Sequence, residues 1–236
     1  GAAWWFWAWV CFMSVSYVLG KLFPVLIVPL FYKYSALEDE ALRERILRLA
    51  AKFDMPIENI YSINLSRTTK KANAAFMGMG KTKRVVLSDT LLAGFNHEEI
   101  ESVLAHELGH YKHHDIWRQL VLGLCTSFLA FWVASQWVNQ MARAFHMEGV
   151  GDIASLPVLF FIFYAVYLIL TPLQNAFSRM LERAADRFAL SHGPGREAFI
   201  SCMEKLGVMN LSDPDPNALY EWFFYDHPSI GKRIRM

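Results

Sequence analysis

The chain has 236 residues, 54% of them hydrophobic, with a mean hydropathy of +0.22 and a formal net charge of +1. Soluble domains are about 45–50% apolar, and the excess here comes in blocks, which points to membrane spans rather than one large core. The near-neutral balance gives no electrostatic case for nucleic acid as a partner.

The opening Gly-Ala-Ala-Trp-Trp-Phe-Trp has no initiator Met and no basic n-region, so it reads as part of a longer protein. A membrane-spanning helix takes about 20 apolar residues, and three segments qualify: 3–32, 117–141 and 155–177. The first carries Lys21, Pro24 and Pro29 in its second half, which predicts a broken or tilted helix. Its Trp4, Trp5, Trp7 and Trp9 suit an interfacial belt.

After the first span, 35–53 reads as an amphipathic helix. Ser35 and Glu38 give a capping pattern, and Leu42, Ile46, Leu49 and Phe53 give one apolar stripe. Three strand-like runs follow, at 60–66, 73–80 and 84–89, enough for a small three-stranded sheet. Gly78, Gly80 and the basic Lys81–Arg84 cluster mark a hairpin between the last two. Residues 96–114 then read as a helix capped by Asn96, with Glu98, Glu99 and Glu101 near its positive end. Beyond the third span the helix continues over 178–192 and stops at Gly193-Pro194-Gly195; a short helix at 196–207 and a loop at 212–219 precede the tail. The predicted organisation is a membrane helix at 1–34, a catalytic part at 35–116, a membrane helix at 117–141, a connecting loop at 142–154, a membrane helix at 155–177 and a second catalytic part at 178–236. The fold class is mainly α and integral to the membrane. Cys11, Cys125 and Cys202, far apart and odd in number, read as buried free thiols rather than a disulfide framework.

His106-Glu107-Leu108-Gly109-His110 is an HExxH motif. Histidines at i and i+4 sit one turn apart on one helix face, so both imidazoles can reach one Zn²⁺. Glu107 is placed to act as general base on a water that the ion acidifies from a pKa of 15.7 to about 7. Apolar neighbours Val103, Leu104 and Leu108 imply a half-buried helix, where two histidines and a glutamate are costly unless paired or ligated. His97, His113, His114, His146 and His192 read as solvated or interfacial.

A catalytic zinc needs a third protein ligand and an open position. Glu182 and Asp186 are i and i+4 on the helix after the third span. Taken alone, Glu182 reads as a surface acid beside Arg179 and Arg183. Topology favours the ligand: the chain crosses twice between His110 and Glu182, which returns Glu182 to the side of the histidines, and Asp186 can then orient a ligand histidine from behind. There are twelve Lys/Arg in 33–115 and eight in 178–236, but only Arg143 in the far loop. The positive-inside rule then puts the catalytic side in the cytoplasm, for a bacterial inner membrane or the endoplasmic reticulum.

The stretches 73-NAAF-76, 104-LAHELGHYKHH-114, 174-QNAFSRMLERAAD-186 and 227-HPSIGKR-233, in this order, resemble the integral-membrane zinc metalloproteases of the type I CAAX prenyl protease kind, with HtpX-like proteases as more distant relatives. The resemblance implies a zincin-like unit with one Zn²⁺ held by His106, His110 and Glu182, with Glu107 as base and Asp186 in support. It implies that His227 and Arg233 lie at the cleft, His227 stabilising an oxyanion, and that Asn73, Ala74, Ala75 and Phe76 hold the substrate backbone as an edge strand. The implied partners are the lipid bilayer and a peptide or protein substrate, prenylated or not. Full members of that family carry several more membrane helices ahead of the matching stretch, around a large chamber. Two other functions fit the same residues: a broad quality-control protease of the membrane, and a catalytically silent module that keeps zinc for structure. An intact Glu107 argues against the last, since a structural site has no use for a base.

Overall fold

The computed structural model describes residues 3–77 and 83–236. Among the described residues, three helices are long and apolar enough to cross a membrane. The first, α1 (Trp4–Leu22), passes into a π-helical stretch, Phe23–Ile27, that includes Pro24, and resumes as α2 (Val28–Phe31). The expected break is thus a widened turn that absorbs the backbone hydrogen bond a proline cannot make. Trp5 and Trp9 of α1 turn inward onto Phe128, and Trp9 donates to Ser127 Oγ at 3.1 Å; Trp7 faces out.

The small sheet gains a strand that the sequence reading missed. β1 (Tyr34–Ala36) pairs antiparallel with β2 (Asn59–Ile63), β2 runs parallel to β4 (Arg84–Ser88), and β3 (Ala74–Met77) lies antiparallel on β4 at the edge, giving the order β1-β2-β4-β3. The antiparallel β3–β4 pair bears out the hairpin, whose turn residues Gly78, Gly80 and Lys81 lie outside the described residues. Ser35 sits in β1 opposite Ser62, and Leu37 N–H still bonds Ile60 at 3.1 Å. That pairing holds the chain extended past the expected cap, so α3 (Glu40–Ala51) starts later. Asp39 caps it, accepting from Leu42 N–H at 2.9 Å.

α4 (Asp89–Gly94) and α5 (His97–Lys112) pack on the sheet, and α3 and α8 (Arg196–Met209) pack on α5. They share a core with the end of α7 (Leu156–His192) that includes Leu42, Ile46, Val85, Leu104, Leu108 and Phe199. Each such apolar side chain contributes about 1.5–3 kcal/mol by leaving water. α5 begins with a full capping box: Asn96 accepts from Glu99 N–H at 2.9 Å, and Glu99 accepts from Asn96 N–H at 2.8 Å.

α5 ends at His113 and His114. His114 adopts the left-handed conformation (φ 57°), and α6 (Asp115–Ala144) departs from it in a new direction. α6 and α7 pack along a second apolar seam of Ala134 and Val138 against Val158, Ile162 and Val166. Small α6 residues let the backbones approach, the mode of packing that works in lipid, where apolar burial itself gains nothing. Two short helices, α9 (Ala218–Phe224) and α10 (Ile230–Ile234), bring the tail back across α7 and α8.

Of the three thiols only Cys202 is buried, and burial pushes its pKa up to about 12; Cys11 and Cys125 lie on outer helix faces. The expectation of three buried thiols fails because helices that face lipid carry apolar residues outward. His113 and His192 are not simply solvated either. Both pack on Phe188, His192 stacked at 4.3 Å and His113 edge-on at 5.9 Å between ring centroids.

Candidate metal centre

α5 and α7 cross at Gly109. A Cβ there would lie 3.0 Å from Ala185 Cα and 3.1 Å from Phe188 Cβ, so only glycine permits this approach without a shift of α7. The crossing sets His106 and His110 against Glu182. His106 Nε2 and His110 Nε2 are 3.1 Å apart, and each is 3.3 Å from one oxygen of Glu182. One donor atom from each of the three residues lies within 4.8 Å of the others.

The donor set fits a zinc ion. Two imidazole nitrogens and a carboxylate oxygen are usual zinc donors, and three protein ligands leave a position open. Glu182 Oε2 is buried and makes no hydrogen bond among the described residues, a cost that a cation would relieve. Without metal, two inward-facing nitrogens must share a proton. Burial works against charge on His106, but the Asp186 and Glu182 carboxylates beside it outweigh this and push its pKa up to about 9.

The outward nitrogens are held too. His106 Nδ1 is 2.9 Å from Asp186 Oδ1, and Asp186, fully buried, takes a two-pronged ion pair from Arg233 at 2.8 and 2.5 Å. His110 Nδ1 is 2.9 Å from Asp115 Oδ2. His227 reaches in from the loop after α9, its Nε2 3.3 Å from Glu182 Oε1 and its Nδ1 2.8 Å from Asp226. The Asp226 hydrogen bond raises the pKa of His227 against partial burial. Glu107 is half-buried beside this group, and burial raises its carboxyl above the ordinary range although His106 and His110 oppose the shift.

A cleft of about 700 Å³ opens onto the group. Asn73, Ala74, Glu107, Glu182, His227 and Arg233 are on its wall. Of the four residues expected to hold substrate, Asn73 and Ala74 line the cleft. Ala75 and Phe76 lie farther along β3, with Phe76 packed on the core. β3 is an edge strand, as that expectation requires. A second recess of about 860 Å³, between α3 and the start of α5, lies away from the histidines.

Sequence reasoning passed over Asp115, Asp226 and Arg179. Asp115 looks like an ordinary first-turn acid, and nothing in the residue pattern announces the left-handed His114 that turns it toward His110. Arg179 enters the sequence reading only as a neighbour of Glu182, yet it is buried and donates to the carbonyls of Glu221 (3.2 Å), Trp222 (3.3 Å) and Tyr225, fixing the end of α9 from which Asp226 and His227 hang. Its partners are main-chain carbonyls some forty residues away, which side-chain spacing cannot reveal.

Comparison with known proteins gives the chain a family. A profile of peptidase family M48 matches residues 36–236. The chain is 35% identical over 236 residues to a protein of Bacillus subtilis named uncharacterized metalloprotease YhfN, covering 98% of this chain and 55% of that protein. It is 31% identical over 260 residues to the CAAX prenyl protease 1 homolog of Caenorhabditis elegans, covering 96% and 58%. The crystal structure of S. mikatae Ste24p aligns with a TM-score of 0.84 and 26% identity, over 98% of this chain and 57% of that one. The chain therefore spans a little over half the length of these relatives. The profile runs through the sheet, the HExxH helix, the Glu182 helix and the tail, and on that match the chain belongs to peptidase family M48.

Proposed function

We propose that this chain is the catalytic part of a membrane-embedded zinc metalloendopeptidase, with His106, His110 and Glu182 as ligands and Glu107 as general base. The observation that carries the reading is the convergence of two Nε2 atoms and the Glu182 carboxylate within 4.8 Å, beside Glu107 in an open cleft. Zinc bound there supplies an acidified water and a polarised substrate carbonyl.

The residues do the rest. Glu107, its carboxyl raised by burial, takes the proton of the attacking water. The water oxygen bonds to the scissile carbon, the C–N bond breaks, and Glu107 returns its proton to the departing nitrogen. His227, its pKa raised by Asp226, donates toward the oxygen that gains negative charge, a role worth about 2.7–4 kcal/mol for such donors in other enzymes. Asp186, locked by Arg233, fixes the ring of His106. The free edge of β3 beside Asn73 and Ala74 takes the peptide as an added strand. The Lys/Arg distribution supports a cytoplasmic catalytic side.

For substrate class we propose a peptide ending in a prenylated Cys-aliphatic-aliphatic-X motif, supported by relatives that carry the name CAAX prenyl protease 1 homolog. Paired peptides, prenylated and unprenylated, incubated with the zinc-loaded chain in detergent test it. Cleavage confined to the prenylated peptide is expected. Equal cleavage of both would replace this reading with broad membrane-protein turnover.

A further inference from the structure

We infer that Asp115 is a positioning residue for the metal centre, holding His110 from α6 as Asp186 holds His106 from α7. This rests on the proposed ligand set of the preceding section.

The geometry is specific. Asp115 is 2% exposed, at the first turn of a helix otherwise built to face lipid. One oxygen lies 2.9 Å from His110 Nδ1 and the other 3.3 Å from Arg118. A neutral imidazole has one N–H, and a carboxylate at Nδ1 can only accept it. The proton is therefore fixed on Nδ1, and the Nε2 lone pair is left facing His106 Nε2 and Glu182.

This contact does not follow from helix periodicity. Five residues along a continuous α-helix turn through about 140° past one full revolution, which would carry Asp115 away from His110. The left-handed His114 breaks that register and folds the first turn of α6 back over the end of α5. The two ligand histidines share one helix, but their supporting carboxylates come from two others, α6 and α7. The orientation of each ring is thereby set by a junction with a helix able to span the membrane.

A first-turn acid also favours a helix dipole, and the experiment separates the two roles. Zinc affinity is measured by chelator competition on the detergent-purified chain, alongside the thermal stability of the zinc-free form. Asp115→Asn keeps the size but offers an amide that can turn its N–H₂ toward Nδ1; zinc affinity is expected to fall about ten- to hundredfold. Asp115→Ser suits a helix start but cannot span to the ring, and the same loss is expected. Asp115→Glu, which keeps a carboxylate within reach, is expected to recover most of the affinity. Wild-type affinity in either Asp115→Asn or Asp115→Ser, with or without a loss of zinc-free stability, would overturn the inference and leave a helix-terminal role only. If Asp115→Asn does not fold, Asp115→Ser decides. A wild-type chain that binds no zinc would instead overturn the ligand set itself.

Discussion

On the proposed mechanism Glu107 and its neighbours divide the work of the site, and single substitutions should separate the parts. Replacing Glu107 with Ala removes the proton carrier but no ligand atom. Hydrolysis should fall by about 10²–10⁴-fold while one zinc per chain stays bound. Glu182→Ala should lower zinc content at matched free metal, measured by elemental analysis; unchanged content would remove it from the ligand set. pH should act through His106. Its pKa in the metal-free chain is about 9, above the ordinary 6.5, so below that value zinc must displace a proton. Zinc affinity should therefore climb with pH, about tenfold per unit from about pH 7 to about pH 9, and level off above; a flat profile would show that no such proton is held. At this scale the sequence was most informative. The helical period alone pairs His106 with His110 and Glu182 with Asp186. Asp115 and Arg179 escaped it because their contacts depend on a left-handed residue or on main-chain groups that fold back from a distance, and Asp226 because it meets the next residue, His227, in a loop without helical period.

Among the elements, the α5–α7 crossing controls the centre. Gly109 lies between the two histidines, and a methyl group there must push Ala185 away, carrying Glu182 with it. Gly109→Ala should cost about 1–3 kcal/mol of stability and weaken zinc binding, with urea unfolding and chelator competition as readouts. The other end of α5 is held by Glu99, 1% exposed, which accepts from Lys205 and Ser201 at 2.6 Å each and from Asn96 N–H at 2.8 Å. Burial alone would raise its pKa; these donors reverse that and hold it below the ordinary 4.5. A depressed carboxylate stabilises the fold fully above the unfolded value. Its share is lost as pH falls through the lower folded one, so the loss should set in below about pH 4.5. Glu99→Gln should remove about 1.5–3 kcal/mol at neutral pH and flatten this acid limb. α3, α5 and the spans were legible because apolar period and length announce them. β1 was not: three residues carry too little pattern, and only β2 across the sheet makes them a strand.

On the scale of the whole chain, two apolar assemblies meet at the candidate metal centre. One is the core beneath the sheet, the other the seam between α6 and α7, and His106, His110 and Glu182 lie on the helices that join them. This explains why imidazoles crowd beside a long apolar run: the helices that reach the ligands are prolonged by helices long enough to cross a bilayer. The broad architecture could be read ahead of the structure, since hydropathy, HExxH and the return of Glu182 after two crossings are long-range features written in local residue types. The order of strands and the fit of α7 into the Gly109 notch could not, because they depend on which surfaces meet. The central claim is that Glu107, beside zinc held by His106, His110 and Glu182, drives peptide hydrolysis. Its most direct test is the rate of peptide cleavage by wild-type and Glu107→Ala chains, each shown to hold one zinc. Cleavage by the wild type that drops about 10²–10⁴-fold in the variant is the predicted result; equal rates from the two zinc-loaded chains would contradict the account.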